Sequence, residues 1–242
     1  MNTSIITTKD ILANVIHSNH NVLMVLERMD IKLGVGNKTV EEIAEEYNIN
    51  AGALIIILNL FCNHQYIPNA ENHFDYIPDF LRYLKNSHHY FLKENIPSIQ
   101  QNIQELVHLL HDSKAEMVES FYNKYIEEIT EHINYENETV FPFIAEMYDA
   151  FLNERDPSAL LKEYDIGIYG EHHDDIEDVL KDLKNILIRH LPQKEKGKTR
   201  RIVLQQLFEL ESDLFSHTRI EDEVLIPLVK KLEEKIRPLK LT

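Results

Sequence analysis

The sequence predicts an all-α protein: an antiparallel four-helix bundle preceded by a small helical domain. Three observations carry this expectation. Only 6 Gly and 8 Pro interrupt 242 residues, so the elements must be long. From Pro78 onward apolar residues recur at alternating intervals of three and four, the period of a helix with one buried face. The pattern His132-x-x-x-Glu136, with Glu138 and Pro142 behind it, returns 85 residues later as His217-x-x-x-Glu221, with Glu223 and Pro227. A repeat of that kind is most economically two related helical hairpins.

In chain order, residues 1–72 read as a small domain of short helices. Gly34-Val35-Gly36 supplies a turn, and Thr39-Val40-Glu41-Glu42 is a capping box, in which hydroxyl and carboxylate satisfy the orphan amides of a helix start. Ile43, Ala44 and Tyr47 follow at helical spacing, and a second, apolar helix runs from about Ala53 to Cys62. The stretch from Tyr66 to Asn72 carries turn chemistry and marks the boundary. The bundle domain then spans 76–236, with helical runs at about 78–111, 113–152, 168–191 and 199–236. Ser113-x-x-Glu116 reads as a capping box between the first two runs. Asp156-Pro157 with Gly167 and Gly170 separates the second from the third, and Pro192 through Gly197 the third from the fourth. Modest connections between long helices favour antiparallel neighbours.

Composition narrows the function classes. Acidic residues outnumber basic ones 41 to 25, a net charge of −16, which disfavours nucleic-acid binding because that relies on cations neutralising phosphates. The one dense basic stretch, Lys194 to Arg201, reads as a solvated interhelical loop. No run of 18 apolar residues is present, so no membrane helix is expected. Met1 to Asp10 lacks the layout of a signal peptide, and a lone Cys62 excludes an internal disulfide or a thiolate metal site within one chain. A cytoplasmic location is the expectation.

The chemistry lies on the inward seams. In the third run His173, Ile176, Leu180, Leu183, Leu187 and His190 share one stripe, which selects His173 over His172. In the fourth, Val203, Leu207, Leu210, Leu214, His217, Glu221, Val224 and Leu228 align. The second offers Val118, Phe121, Tyr125, His132, Glu136, Phe143 and Met147. The first gives His89, Leu92, Ile96, Ile99, Ile103, Leu106 and Leu110, although Leu81 and Leu84 upstream prefer His88, so the two histidines stay alternatives with His89 the candidate. Each helix thus turns a histidine inward, and two add a glutamate one turn on.

A single inward histidine is usually a hydrogen-bonded core residue, and a single inward glutamate usually reaches solvent. Six together, in duplicate, demand more. An ionised carboxylate in an apolar bundle costs several kcal/mol without a partner, and the seams offer few Lys or Arg. A metal cation answers both glutamates. The candidate ligands are therefore His89, His132, Glu136, His173, His217 and Glu221. Six are too many for one tetrahedral zinc. They suit two ions, each on two imidazoles, bridged by both carboxylates, and mixed nitrogen and oxygen donors favour iron, with manganese or zinc as alternatives. Ferritin-type sites use more carboxylates and Glu-x-x-His spacing, the reverse of this order. Four protein bonds per ion leave room for an oxo bridge and a small molecule. Pro142 and Pro227, ten residues after His132 and His217, either kink the helices or end them.

Four stretches carry a family resemblance: His89 to Pro97, His132-x-x-x-Glu136-x-x-x-Val140-Phe141-Pro142, Glu171 to Ile176, and His217-x-x-x-Glu221 through Pro227. Together they resemble the hemerythrin-like di-iron domain of the repair-of-iron-centres family over about residues 76–232. The resemblance implies a hemerythrin-like bundle and an oxo- or hydroxo-bridged pair of iron ions on the six residues named above. It further implies repair of iron–sulfur centres damaged by nitric oxide or peroxide, through iron donation, nitric oxide handling or both. Nitric oxide or oxygen would be the diatomic ligand, and damaged iron–sulfur proteins the clients. Whether there is turnover, as in a nitric oxide reductase, is left open.

Val25 to Ile31 and Thr39 to Ile43 resemble the family's leader domain, a candidate docking surface for oligomerisation. Many relatives carry two adjacent cysteines after that first isoleucine, whereas this chain reads Lys32-Leu33-Gly34-Val35-Gly36, so no thiol chemistry is expected there. Cys62 reads as a small core residue.

Two other functions compete. One is an oxygen or nitric oxide binding or sensing protein without turnover; true hemerythrins add a further histidine, for which no seam candidate stands near His173. The other is a DNA-binding regulator, because Thr39 to Asn59 loosely reads as helix-turn-helix. No Arg or Lys lies between Val40 and Asn59, however, where the reading helix would fall.

Overall fold

Side-chain caps decide where the first helices begin. In the computed structural model, which describes residues 5–169, 177–192 and 197–236, α1 spans Leu12–Ser18, α2 Val22–Arg28, α3 Val40–Glu46 and α4 Ala51–Cys62. The Thr39 hydroxyl accepts from the Glu42 N–H at 3.2 Å while the Glu42 carboxylate accepts from the Thr39 N–H at 2.7 Å, so the expected capping box starts α3. Asn50 caps α4 by accepting from the Gly52 N–H at 2.9 Å. Gly52 is required at that point because any Cβ there would collide with the Tyr76 ring.

Long helical runs follow. A single 3-10 turn, Phe74–Tyr76, leads into α5 (Ile77–Tyr90), which passes through a π-helical turn at Phe91–Asn95 into α6 (Ile96–Leu110). Next, α7 (Ser113–Tyr135) passes through a π turn at Glu136–Val140 into α8 (Phe141–Leu152). Short helices α9 (Leu160–Glu163) and α10 (Ile166–Tyr169) precede α11 (Glu177–Arg189). Finally α12 (Lys198–Ile220) passes through a third π turn, Glu221–Leu225, into α13 (Ile226–Ile236). Among the described residues the only extended pairing is an isolated bridge between Ile11 and Thr39, so the protein is all-α. None of the described helices is long and apolar enough to cross a membrane.

The start of α7 differs from the expected Ser113-x-x-Glu116 box. His111 adopts the left-handed conformation, φ 45°, that closes α6, and Asp112 then caps α7 by accepting from the Lys114 N–H at 2.9 Å. The aspartate takes the capping place one residue earlier, and Ser113 becomes the first helical residue.

The chain divides by packing into two units. One comprises the described parts of Met1–Ser87, Thr139–Gly170 and Ser216–Thr242. Its core draws Val25 and Leu26 from α2, Leu54 and Ile57 from α4, Phe80 and Tyr83 from α5, Ile144 and Met147 from α8, and Val229 and Leu232 from α13. Helix α4 buries nearly every side chain from Ala53 to Phe61. That overturns the helix-turn-helix alternative, since a reading helix must present its side chains to a DNA groove. Cys62, at the end of α4, is half-buried, and burial pushes its thiol up to about 11, as expected of a packing residue rather than a nucleophile.

One buried cation braces this unit. The Arg219 guanidinium donates to the carbonyls of Leu60 (3.3 Å), Asn63 (3.2 Å) and Tyr66 (2.7 Å) and grips the Glu223 carboxylate with two bonds of 2.7 and 2.9 Å. It thereby ties the C-terminal end of α4, where carbonyls lack helical donors, to the last turn of α12.

The second unit comprises His88–Glu138 and the described part of Glu171–Phe215. Here α6, α7, α11 and the greater part of α12 share a core that includes Ile99, Ile103, Tyr122, Tyr125, Leu183, Leu187, Leu207 and Leu210. Gln206 bonds both Asn102 and Ser98 at 2.9 Å, fixing α12 against α6. The Tyr122 hydroxyl donates to the Ile96 carbonyl at 2.9 Å, and burial holds that phenol well above its ordinary range. The expected seams of the second and third runs each need a change. Phe121 is exposed and Tyr122 takes its place, in step with Val118, Tyr125 and Ile129. His190 is also exposed, because α11 ends at Arg189 and the chain turns Leu191 inward instead.

Replacing Arg219 with alanine leaves several carbonyls and a carboxylate to find new partners. It is expected to lower unfolding stability in urea by about 3 kcal/mol. Arg219→Lys recovers only part of this, because a single ammonium cannot reproduce the planar fork.

Candidate metal centre

Three π turns stand next to the candidate ligands, and a proline accompanies each. The Ile96 N–H donates to the Phe91 carbonyl, and the Ile226 N–H to the Glu221 carbonyl, five residues back rather than four. Pro97, Pro142 and Pro227 each stand second in the α-helix that follows its turn. A proline has no N–H for the carbonyl four residues back, and the wider turn accommodates the break while the helix continues. The prolines left open by the sequence therefore neither end the helices nor stand alone.

The extra residue of such a turn rotates everything on one side of it relative to the other. In the first run the buried positions go Leu84, His88, Phe91, then jump five to Ile96, Ile99 and Ile103. Carrying the downstream seam backward in steps of three and four reaches His89. The structure instead buries His88, 1% exposed, and leaves His89 exposed. His89 is thus not brought to the other candidates, and its neighbour is. The three Ile-Pro and Phe-Pro pairs at matching places were the available signal for a register change.

Around Glu136 the donors converge from two helices. His88 Nε2 lies 3.1 Å from one carboxylate oxygen and His132 Nε2 lies 3.1 Å from the other. Glu136 is 0% exposed, whereas the His132 side chain keeps 24% of its surface in contact with solvent. The spacing of four puts His132 directly over Glu136 on one face, as expected. The repeat places His217 and Glu221 in the same relation, Nε2 to carboxylate oxygen at 3.3 Å, both buried. His88 turns its other ring nitrogen, Nδ1, to the Asn137 side-chain oxygen at 3.0 Å. His173 and its alternative His172 lie outside the described residues.

Four buried side chains, His88 and Glu136 in one unit and His217 and Glu221 in the other, offer a set of ligand atoms that could hold a metal ion. Its donors are imidazole nitrogens and carboxylate oxygens, a mixed set that suits iron, manganese or zinc rather than calcium or magnesium. Protonated histidines could instead balance the glutamates. Burying that many unlike charges in one place carries desolvation costs of several kcal/mol per ion, which a divalent cation with direct bonds offsets more effectively.

Sequence comparison adds one finding. No family model matches the chain. The iron–sulfur cluster repair protein ScdA of Staphylococcus haemolyticus is 22% identical over 192 residues, covering 78% of this chain and 83% of that protein.

If His88 rather than His89 reaches the metal, the two alanine variants separate. His88→Ala is expected to weaken Fe(II) or Co(II) binding at least about ten-fold by calorimetric titration, with His89→Ala unchanged. Equal losses, or the reverse order, contradict the assignment.

Proposed function

We propose that this chain is a di-iron protein that restores iron–sulfur centres damaged by nitrosative or oxidative stress. The observation that carries the reading is the burial of Glu136 and Glu221, each with a histidine Nε2 against its carboxylate, in two copies of one helical motif. The similarity to a protein named for iron–sulfur cluster repair supports the choice of iron and of this role.

In this reading residues 76–236 form a hemerythrin-like antiparallel bundle and residues 1–72 its leader domain. His88, His132, Glu136, His173, His217 and Glu221 would hold the irons, with His88 replacing His89 in the set first expected. The glutamates would neutralise the ions, and the imidazoles would keep the donor set soft enough for iron. When bound, such a centre supplies redox chemistry toward a diatomic ligand and a pool of iron for a client protein. The chain's own part is to hold the carboxylates ionised in an apolar setting, to aim the Nε2 atoms, and to keep bulk water from the buried donors. His132, partly exposed, marks the side from which a small ligand or a departing ion has access. Nitric oxide is the diatomic ligand in this proposal, damaged iron–sulfur proteins are the clients, and the cytoplasm is the location.

Metal analysis of the full chain from iron-supplemented cells is expected to find about two irons per chain, lost in His132→Ala and in Glu221→Ala. A single zinc per chain ends the di-iron reading. Recovery of an iron–sulfur enzyme after nitric oxide exposure is expected to slow in cells lacking the protein. Full-rate recovery, with a stable and reversible oxygen adduct in stopped-flow spectra, favours a carrier instead.

A further inference from the structure

Not every apolar side chain of the second unit is covered. Along α7, Met117, Phe121 and Tyr135 are 51%, 46% and 43% exposed. Exposed apolar residues scattered singly need no explanation, but these three share one stripe with Lys124, Glu128 and Glu131, which are exposed as well. The six positions advance in alternating steps of four and three, the interval of a coiled-coil seam. The inner seam of the same helix, with Val118, Tyr122, Tyr125 and Ile129, is buried in the unit's own core. Helix α7 therefore carries two seams, and the outer one faces solvent. Beside the outer seam a groove of about 450 Å³ separates α7 from α11, with Phe121, Lys124 and Glu128 on one wall and Ile186 on the other.

We propose that this stripe is the contact of an antiparallel homodimer, in which α7 lies along α7 of a second copy of the chain. Charge complementarity identifies the occupant. In a two-fold interface each residue that meets a second is met by it in return. With the axis between Lys124 and Glu128, Met117 faces Tyr135 of the second copy, Phe121 faces Glu131, and Lys124 faces Glu128, each pairing occurring twice. Apolar side chains then meet at both ends, and the centre holds two lysines and two glutamates in alternation. Within one chain Lys124 and Glu128 already lie 3.6 Å apart, so the reversed copy extends that ion pair into a cluster of four. Phe121 packs on the aliphatic stem of Glu131, whose carboxylate stays in water. A parallel arrangement would instead set lysine against lysine and glutamate against glutamate, which like-charge repulsion opposes.

The net charge of −16 works against any self-association. In about 0.15 M salt, exposed charges more than roughly 8 Å apart are largely screened, which leaves the contacting pairs in control. Glu127, exposed on the flank of the stripe, meets its own image near the axis. That repulsion makes the dimer weak and reversible.

Sedimentation velocity of the full chain, at concentrations reaching about 100 μM, tests the proposal. A monomer–dimer equilibrium is expected. Phe121→Glu weakens it at least about ten-fold, with unchanged circular dichroism and melting to show that the fold is intact, and Glu127→Gln tightens it. Lys124→Glu and Glu128→Lys each weaken it alone, because each sets like charges against one another across the axis. An equimolar mixture of these two variants restores the dimer, since both facing pairs are then opposite in charge. The ion pair inside one chain cannot produce that rescue. A chain that stays monomeric at the highest concentration overturns the proposal. So does a dimer that Phe121→Glu leaves intact, which would use another surface such as the leader domain, and so does a mixture no more dimeric than its components. None of these outcomes depends on the metal-binding reading.

Discussion

A carboxylate removed from water must be answered by positive charge close at hand, and the most deeply buried carboxylates among the described residues are Glu136 and Glu221. Each lies one helical turn after a histidine whose Nε2 faces it. Much of the surrounding construction serves that requirement. Long helices give rigid places to mount the donors, each unit has its own apolar core, and Arg219 in one unit and Tyr122 in the other lock helix ends and turns. An account of the fold that omitted the carboxylates would leave the most expensive groups in the protein unexplained.

The π turns show how donors are aimed. Each widens a helix by one residue at the point where ligands must be presented, and each is followed by a proline that cannot complete the regular ladder. Proline and wide turn together are consistent with a feature built into the sequence three times. The turn at Phe91–Asn95 chooses between adjacent histidines. The turn at Glu136–Val140 sets Glu136 and Asn137 against the two nitrogens of one ring.

What was legible in the sequence follows the same division. Periodicity and caps foretold the helical class, the Thr39 capping box and the apolar α4, because these depend on neighbours within a few positions. The His132–Glu136 and His217–Glu221 contacts were legible for the same reason, being fixed by a spacing of four on a helix. His88 stood only as the alternative to His89, because a seam extrapolated at constant pitch cannot register one extra residue. Phe121 and Tyr122 were exchanged by a smaller version of that error, since two adjacent aromatics both fit a stripe of limited width. The Asn137 contact with His88 left no trace in any periodicity, because the two residues lie 49 positions apart along the chain. The domain boundary near residue 72 follows chain order, whereas packing groups the first 87 residues with segments far downstream.

Anomalous X-ray scattering from crystals of the full chain grown from iron-loaded cells tests the central claim most directly. The account predicts two adjacent peaks at the iron edge, both touching the carboxylates of Glu136 and Glu221, with His88 Nε2 bonded to one of them and His89 in solvent. A map with no peak at these carboxylates, and the histidines bonded straight to them as in a simple ion-pair cluster, would contradict it.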